Sequence, residues 1–137
     1  MILPILIGFS LLASLSYADN VFNYCVGDLS SPTGPSGYTC KDPSKVSADD
    51  FIFTGLRVAG NTTNTFKFGA SPAFAPQFPA LNGMGISMVR ADLGVGGAVP
   101  IHTHRVAELL ILVKGTVIGG FIDTNNRAFY KTLHEGT

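Results

Sequence analysis

Apolar residues recur along this chain in short runs separated by turn formers, and no stretch of useful length repeats with a helical period. Residues 86–93, 117–122 and 128–133 read as strands, and Asp123-Thr124-Asn125-Asn126 as the hairpin turn between the last two. The unbroken apolar run at 109–113 predicts a buried strand, with Lys114-Gly115 as its turn. Residues 64–68 predict a further short strand. The loose alternation of Phe51, Phe53, Leu56 and Val58 predicts an extended piece. Pro72, Pro76 and Pro79 exclude both a central strand and a helix interior from residues 70–79, so Phe74 and Phe78 read as core plugs. Ser47 before Asp49 and Asp50 predicts one helical turn at 47–52. The stretch 29–38 is dense in Pro, Gly and Ser and reads as irregular. Many short strands with regular turn signals predict an all-β sandwich or barrel.

Composition sharpens this picture. A length of 137 residues sets one domain as the prior, and nine basic against nine acidic side chains leave a formal net charge of zero. Without a basic block there is no footprint for nucleic acid. Residues 2–15 are nearly all apolar, followed by Ser16-Tyr17-Ala18 and then Asp19-Asn20. This predicts a secretory signal peptide over 1–18, cleaved after Ala18, with the domain at 19–137. A membrane-spanning helix is the alternative, disfavoured because the run falls short of about 18–20 residues. No other segment is long and apolar enough to span.

Secretion changes the reading of the two cysteines. Cys25 and Cys40 form an even pair in an oxidising compartment, where a disulfide is the default. Closing a loop of about 15 residues is worth about 3 kcal/mol on the chain-entropy estimate. Two free buried thiols remain the alternative, and no third sulfur or nearby histidine favours zinc. Asn61-Thr62-Thr63 is a glycosylation sequon that secretion would make usable.

The chemistry concentrates between Gly96 and Gly115, which enclose His102, His104 and Glu108. Two imidazoles and a carboxylate are a donor set for a divalent first-row metal. In an extended segment His102 and His104 face one way. Four more extended residues would carry Glu108 roughly 13 Å from His104, too far to share an ion. The chain must therefore turn through Arg105-Val106-Ala107 if the three are to bind one metal. A lone His-x-His is more often a surface or satisfied pair than a ligand set.

The full spacing, from Gly96 through His102, His104 and Glu108 to Gly115, resembles the first motif of the cupin superfamily. Further motifs occur in order: Cys25-Val26-Gly27-Asp28-Leu29, residues 32–43 from Pro32 to Pro43, residues 46–51, Gly60-Asn61-Thr62-Thr63-Asn64 and Phe78-Pro79-Ala80-Leu81-Asn82-Gly83. Together they are similar to the plant germin-like proteins, auxin-binding-type branch. The resemblance implies a germin-type β-barrel, secretion to the apoplast or cell wall, and a Cys25–Cys40 bridge. It implies manganese held by three histidines and a glutamate, of which His102, His104 and Glu108 match the first three ligands. It also implies a trimeric or hexameric homo-oligomer.

Two departures qualify the match. Arg105-Val106-Ala107 is one residue shorter than the family's segment and lacks its Pro-Gly turn. The family's second motif, which carries the last histidine, has no counterpart before Thr137, and His134 reads as an ordinary exposed histidine. The expectation is thus a partial cupin domain, truncated at the C-terminus, whose barrel lacks its C-terminal strands and helices. Activities implied are superoxide dismutation or oxalate oxidation. The alternatives are a non-catalytic protein that binds auxin or a small organic acid, a storage (nutrient-reservoir) protein, and a truncated product without function.

Overall fold

The structure, a computed structural model, describes residues 24–137. The expected signal peptide and its cleavage point lie outside the described residues. Among these, regular structure consists of four strands and four single 3-10 turns, and no helix is long and apolar enough to cross a membrane. The strands form two separate two-stranded antiparallel sheets, and they close no barrel. The described residues divide into two compact units, 24–100 and 101–137.

In the first unit the Cys25–Cys40 disulfide joins two extended segments, with Cα atoms 4.9 Å apart. Backbone pairing continues the tie: Asp28 N–H donates to Thr39 O and Lys41 N–H to Val26 O, both at 2.7 Å. The turn-rich stretch between the cysteines doubles back at Gly34 and Gly37, whose backbones exchange two hydrogen bonds. Gly37 holds φ 103°, a value that favours glycine.

The helical turn expected at 47–52 is a 3-10 turn over Ala48–Phe51. Asp50 reaches back to accept the Ser47 N–H at 2.8 Å, the return half of a capping box. Lys41 Nζ also donates to both Asp50 carboxylate oxygens, at 2.8 and 3.0 Å. The extended piece expected at 51–58 is absent, because Gly55–Arg57 winds into another 3-10 turn. Phe78 stacks on Phe53 with ring centroids 5.3 Å apart, whereas Phe74 lies exposed rather than in the core.

Strand β1, Phe68–Ala73, pairs with β2, Met88–Leu93, with Phe68 opposite Leu93 and Ala73 opposite Met88. The strand expected at 64–68 thus begins where that segment ends, since residues 64–66 form a bend and turn. Pro72 is accommodated because β1 has a partner on one side only. The backbone of Gly69 runs against that of Gly60 so closely that a Cβ on Gly69 would sit 2.7 Å from the Gly60 carbonyl carbon. Asp92 fastens the crossing: its carboxylate accepts the Gly60 N–H at 2.8 Å and pairs with Arg90. Arg90 in turn donates to the Leu56 and Arg57 carbonyls. Val26, Ala73 and Ala80 are the buried apolar side chains among the described residues, joined by one buried polar residue, Asn82.

The second unit is built on the hairpin of β3, Thr116–Ile122, and β4, Ala128–His134, with Thr116 opposite His134 and Ile122 opposite Ala128. Asp123 makes its turn. One carboxylate oxygen accepts the Asn125 and Arg127 N–H groups, and the other accepts Arg127 Nε. Phe121 and Phe129 stack across the strands at 5.1 Å. The buried strand expected at 109–113 does not form. Leu109 and Val113 are 86% and 85% exposed, and only Leu112 pairs its backbone, with Gly136 and Thr137. A continuous apolar run buries both faces only between other layers, and the described residues place none over it.

Candidate metal centre

The site lies at the start of the second unit. His102 and His104 sit outside any strand or helix, and a bend at Arg105 and Val106 follows. The bend does what the spacing required, returning Glu108 to the histidines. The two imidazoles meet edge to face with ring centroids 4.6 Å apart. Their Nε2 atoms are 2.7 Å apart, and His104 Nε2 lies 3.0 Å from a Glu108 carboxylate oxygen. The three groups each offer one ligand atom, and these atoms all lie within 4.8 Å of one another. Bonds of about 2.1 Å to one ion place neighbouring ligand atoms about 3 Å apart. The donor spacing and the nitrogen–oxygen donor chemistry therefore fit a divalent cation.

All three side chains are exposed, so water can reach any position on such an ion that the protein leaves open. His134 does not join them. It ends β4, is exposed, and has Nδ1 3.4 Å from the Thr116 hydroxyl. The glycines that bracket the motif have a backbone role, since Gly96 and Gly115 take φ of 70° and 94°, in the left-handed region.

Asn82 falls within the Phe78–Gly83 motif, but no local pattern signals the part it plays. Its Oδ1 accepts the Tyr38 N–H at 3.0 Å, and its Nδ2 donates to Tyr38 O at 2.9 Å and to Cys25 Sγ at 3.2 Å. These partners lie 44 and 57 residues away in the chain, beyond any local pattern. The same holds for Asp92, whose Gly60 partner is 32 residues distant.

Comparison with known proteins extends the picture. The cupin family model matches residues 54–137. The chain is 53% identical to auxin-binding protein ABP19b of Prunus persica over 99% of its own length and 65% of that protein's. It is 46% identical to germin-like protein subfamily 3 member 3 of Arabidopsis thaliana, over 99% of its length and 64% of the relative's. The chain thus spans about 65% of the length of these relatives. Among solved structures it is similar to peruvianin-I, described as a cysteine peptidase from Thevetia peruviana latex. That match has a TM-score of 0.72 and 27% identity, and covers 86% of this chain and 74% of that one. It is also similar to an oxalate oxidase, with a TM-score of 0.69 and 26% identity over 87% of this chain and 62% of that one. These matches carry the fold expectation through to its germin-type form: the chain belongs to the cupin family, beside the germin-like and auxin-binding proteins.

Proposed function

We propose that the chain is the metal-binding part of a secreted germin-like protein, in which His102, His104 and Glu108 hold manganese. The convergence of these three donors carries the reading, and the germin-like relatives and the oxalate oxidase neighbour support it. When bound, manganese supplies one-electron redox chemistry, the basis of a superoxide dismutase or oxalate oxidase-type activity. His102 and His104 would offer ring nitrogens to the ion. Glu108 adds the hard, negatively charged oxygen that helps a site favour a weakly held metal. His104 Nε2 lies within contact distance of both other donor atoms. A cysteine-peptidase reading has no support in this chain, because its two cysteines are bonded to each other.

The secreted setting is part of the same proposal. Asn61, exposed beside Thr63, would carry a glycan. Its side-chain oxygen already accepts the Thr63 N–H and hydroxyl at 2.9 and 2.6 Å. A homo-oligomer of the germin type is the assembly that fits the relatives.

A second reading is favoured by the 53% identity to a protein named for auxin binding. There the same donors serve a non-catalytic site for auxin or another small organic acid. Metal analysis of the secreted protein, with a superoxide assay and auxin titration, separates the two. The expected result is near one manganese per chain with dismutase activity, and both lost in His104→Ala, where removing a direct donor should cost more than the roughly 10–100-fold typical of a change outside the ligand shell. Metal with auxin binding and no activity selects the second reading. A folded wild-type chain that takes up no manganese overturns the metal site itself.

A further inference from the structure

We propose that Cys40 is a site of reversible S-thiolation, opened by low-molecular-weight thiols with a fixed direction of attack. Cys40 is exposed while Cys25 is half-buried, so the Cys40 side of the bond is the more open to an approaching thiolate. What sets the direction more firmly is the other end of the bond. Asn82, 4% exposed, has its amide orientation dictated by Tyr38. The Tyr38 N–H needs the Oδ1 acceptor and the Tyr38 carbonyl needs an Nδ2 donor. The second Nδ2 hydrogen is then committed to Cys25 Sγ at 3.2 Å. Nothing at that contact can rotate to present an acceptor without breaking both Tyr38 bonds. The fit is tight as well, since a Cβ on Gly37 would lie 2.6 Å from Asn82 Oδ1.

The exchange step follows. The external thiolate bonds to Cys40 Sγ, the Cys25–Cys40 bond breaks, and its electron pair departs on Cys25 Sγ. The new thiolate accepts the waiting Asn82 N–H. One disulfide replaces another, so no oxidant or reductant is consumed. A thiol whose thiolate is stabilised is the faster leaving group, and a donor aimed at the sulfur stabilises it. Attack at Cys25 would instead expel a Cys40 thiolate, to which none of the described residues donates a hydrogen bond. The pairing of Val26 with Lys41 and of Asp28 with Thr39 still holds the two segments together after opening. Cys25 therefore remains placed to attack the adduct and restore the bond.

The test treats the folded protein with limiting glutathione, quenches with acid, alkylates the freed thiol, and maps both cysteines by mass spectrometry. Glutathione on Cys40 and the alkyl group on Cys25, in about tenfold excess over the reverse, is the expected result. An even distribution, or an excess at Cys25, overturns the proposal. Two further measurements identify the cause. The bias should disappear in the urea-unfolded chain, and should fall below about threefold in Asn82→Ala. A bias that survives unfolding belongs to local sequence and overturns the role given to the fold.

Discussion

The two units of this chain are held by different means. Residues 24–100 have few buried side chains but many specific ties: the disulfide, the Asn82 amide, the Arg90–Asp92 pair and the Gly60–Gly69 contact. Residues 101–137 have no buried side chain at all. They depend on one hairpin ladder and the backbone bonds between Leu112 and the chain's last residues. An isolated two-stranded hairpin is marginal in water. The candidate metal donors all belong to this second, coreless unit. One unit is thus cross-linked in advance, and the other has most to gain from a ligand that gathers its side chains.

The largest effect expected from breaking that contrast is in the first unit. Replacing both cysteines, Cys25→Ser with Cys40→Ser, should cost about 3 kcal/mol for a closed loop of this length. Hydrogen exchange at the Lys41 and Asp28 amides, which bond across the bridge, reads it. Unchanged protection there would mean that backbone pairing alone holds the segments. Slightly smaller is the expected gain in the second unit on adding metal. Manganese at 100 times its dissociation constant should stabilise residues 101–137 by about 2.7 kcal/mol. The gain is read as added protection of the Leu112 and Gly136 amides, and Glu108→Gln should reduce it. If protection does not change while the metal is bound, the opened segment holds the metal as well as the folded one does, and the contrast between the units fails.

Third comes the close crossing in the first unit. Gly69→Ala would push a methyl group against the Gly60 carbonyl carbon and the Asn61 nitrogen, 2.7 and 2.9 Å from the added carbon. Backbone atoms yield less readily than side chains, and overpacking of this kind costs about 2 kcal/mol. Thermal unfolding measures it. A neutral result would mean that β1 can slide away from residue 60.

What the sequence revealed, and what it did not, follows the same division. The β3–β4 hairpin was legible because its signals are local: alternating strands and an Asp-Thr-Asn-Asn turn, whose Asp123 closes it through three hydrogen bonds within four residues. The gathering of His102, His104 and Glu108 was legible as a condition, since a shared ion requires a turn through Arg105-Val106-Ala107, and the bend lies at Arg105 and Val106. The run at 109–113 misled because an apolar run reports a need for burial, not the presence of a layer to supply it. The extended piece at 51–58 failed because Thr54-Gly55 can enter a 3-10 turn at little cost, which alternation cannot register. The roles of Asn82 and Asp92 were invisible because each closes a contact across 32 residues or more.

The smallest expected effect is a difference in acid sensitivity. In the first unit the carboxyls of Asp50 and Asp92 are both held below the ordinary carboxylate range. For Asp50 the main cause is the Lys41 hydrogen bond, aided by the Ser47 N–H. For Asp92 it is the Arg90 guanidinium, aided by the Gly60 N–H. Asp28 and Asp42 are lowered as well, by Ser30 and Ser44. In the second unit the lowered carboxyl is Asp123, through the Arg127 N–H. A carboxyl whose folded value lies below its unfolded value of about 3.9 contributes stability that is present above that pH. The contribution is lost as pH falls further, through the folded value. Both units should therefore loosen below about pH 4, the first over more carboxylates than the second. Asp92→Asn should flatten the acid slope of the amides in residues 24–100 and leave the slope near the 123–127 turn unchanged. An acid slope that Asp92→Asn does not alter would mean that Arg90 holds the Leu56 and Arg57 carbonyls equally well without a charged partner, leaving the ion pair no part in tying the first unit.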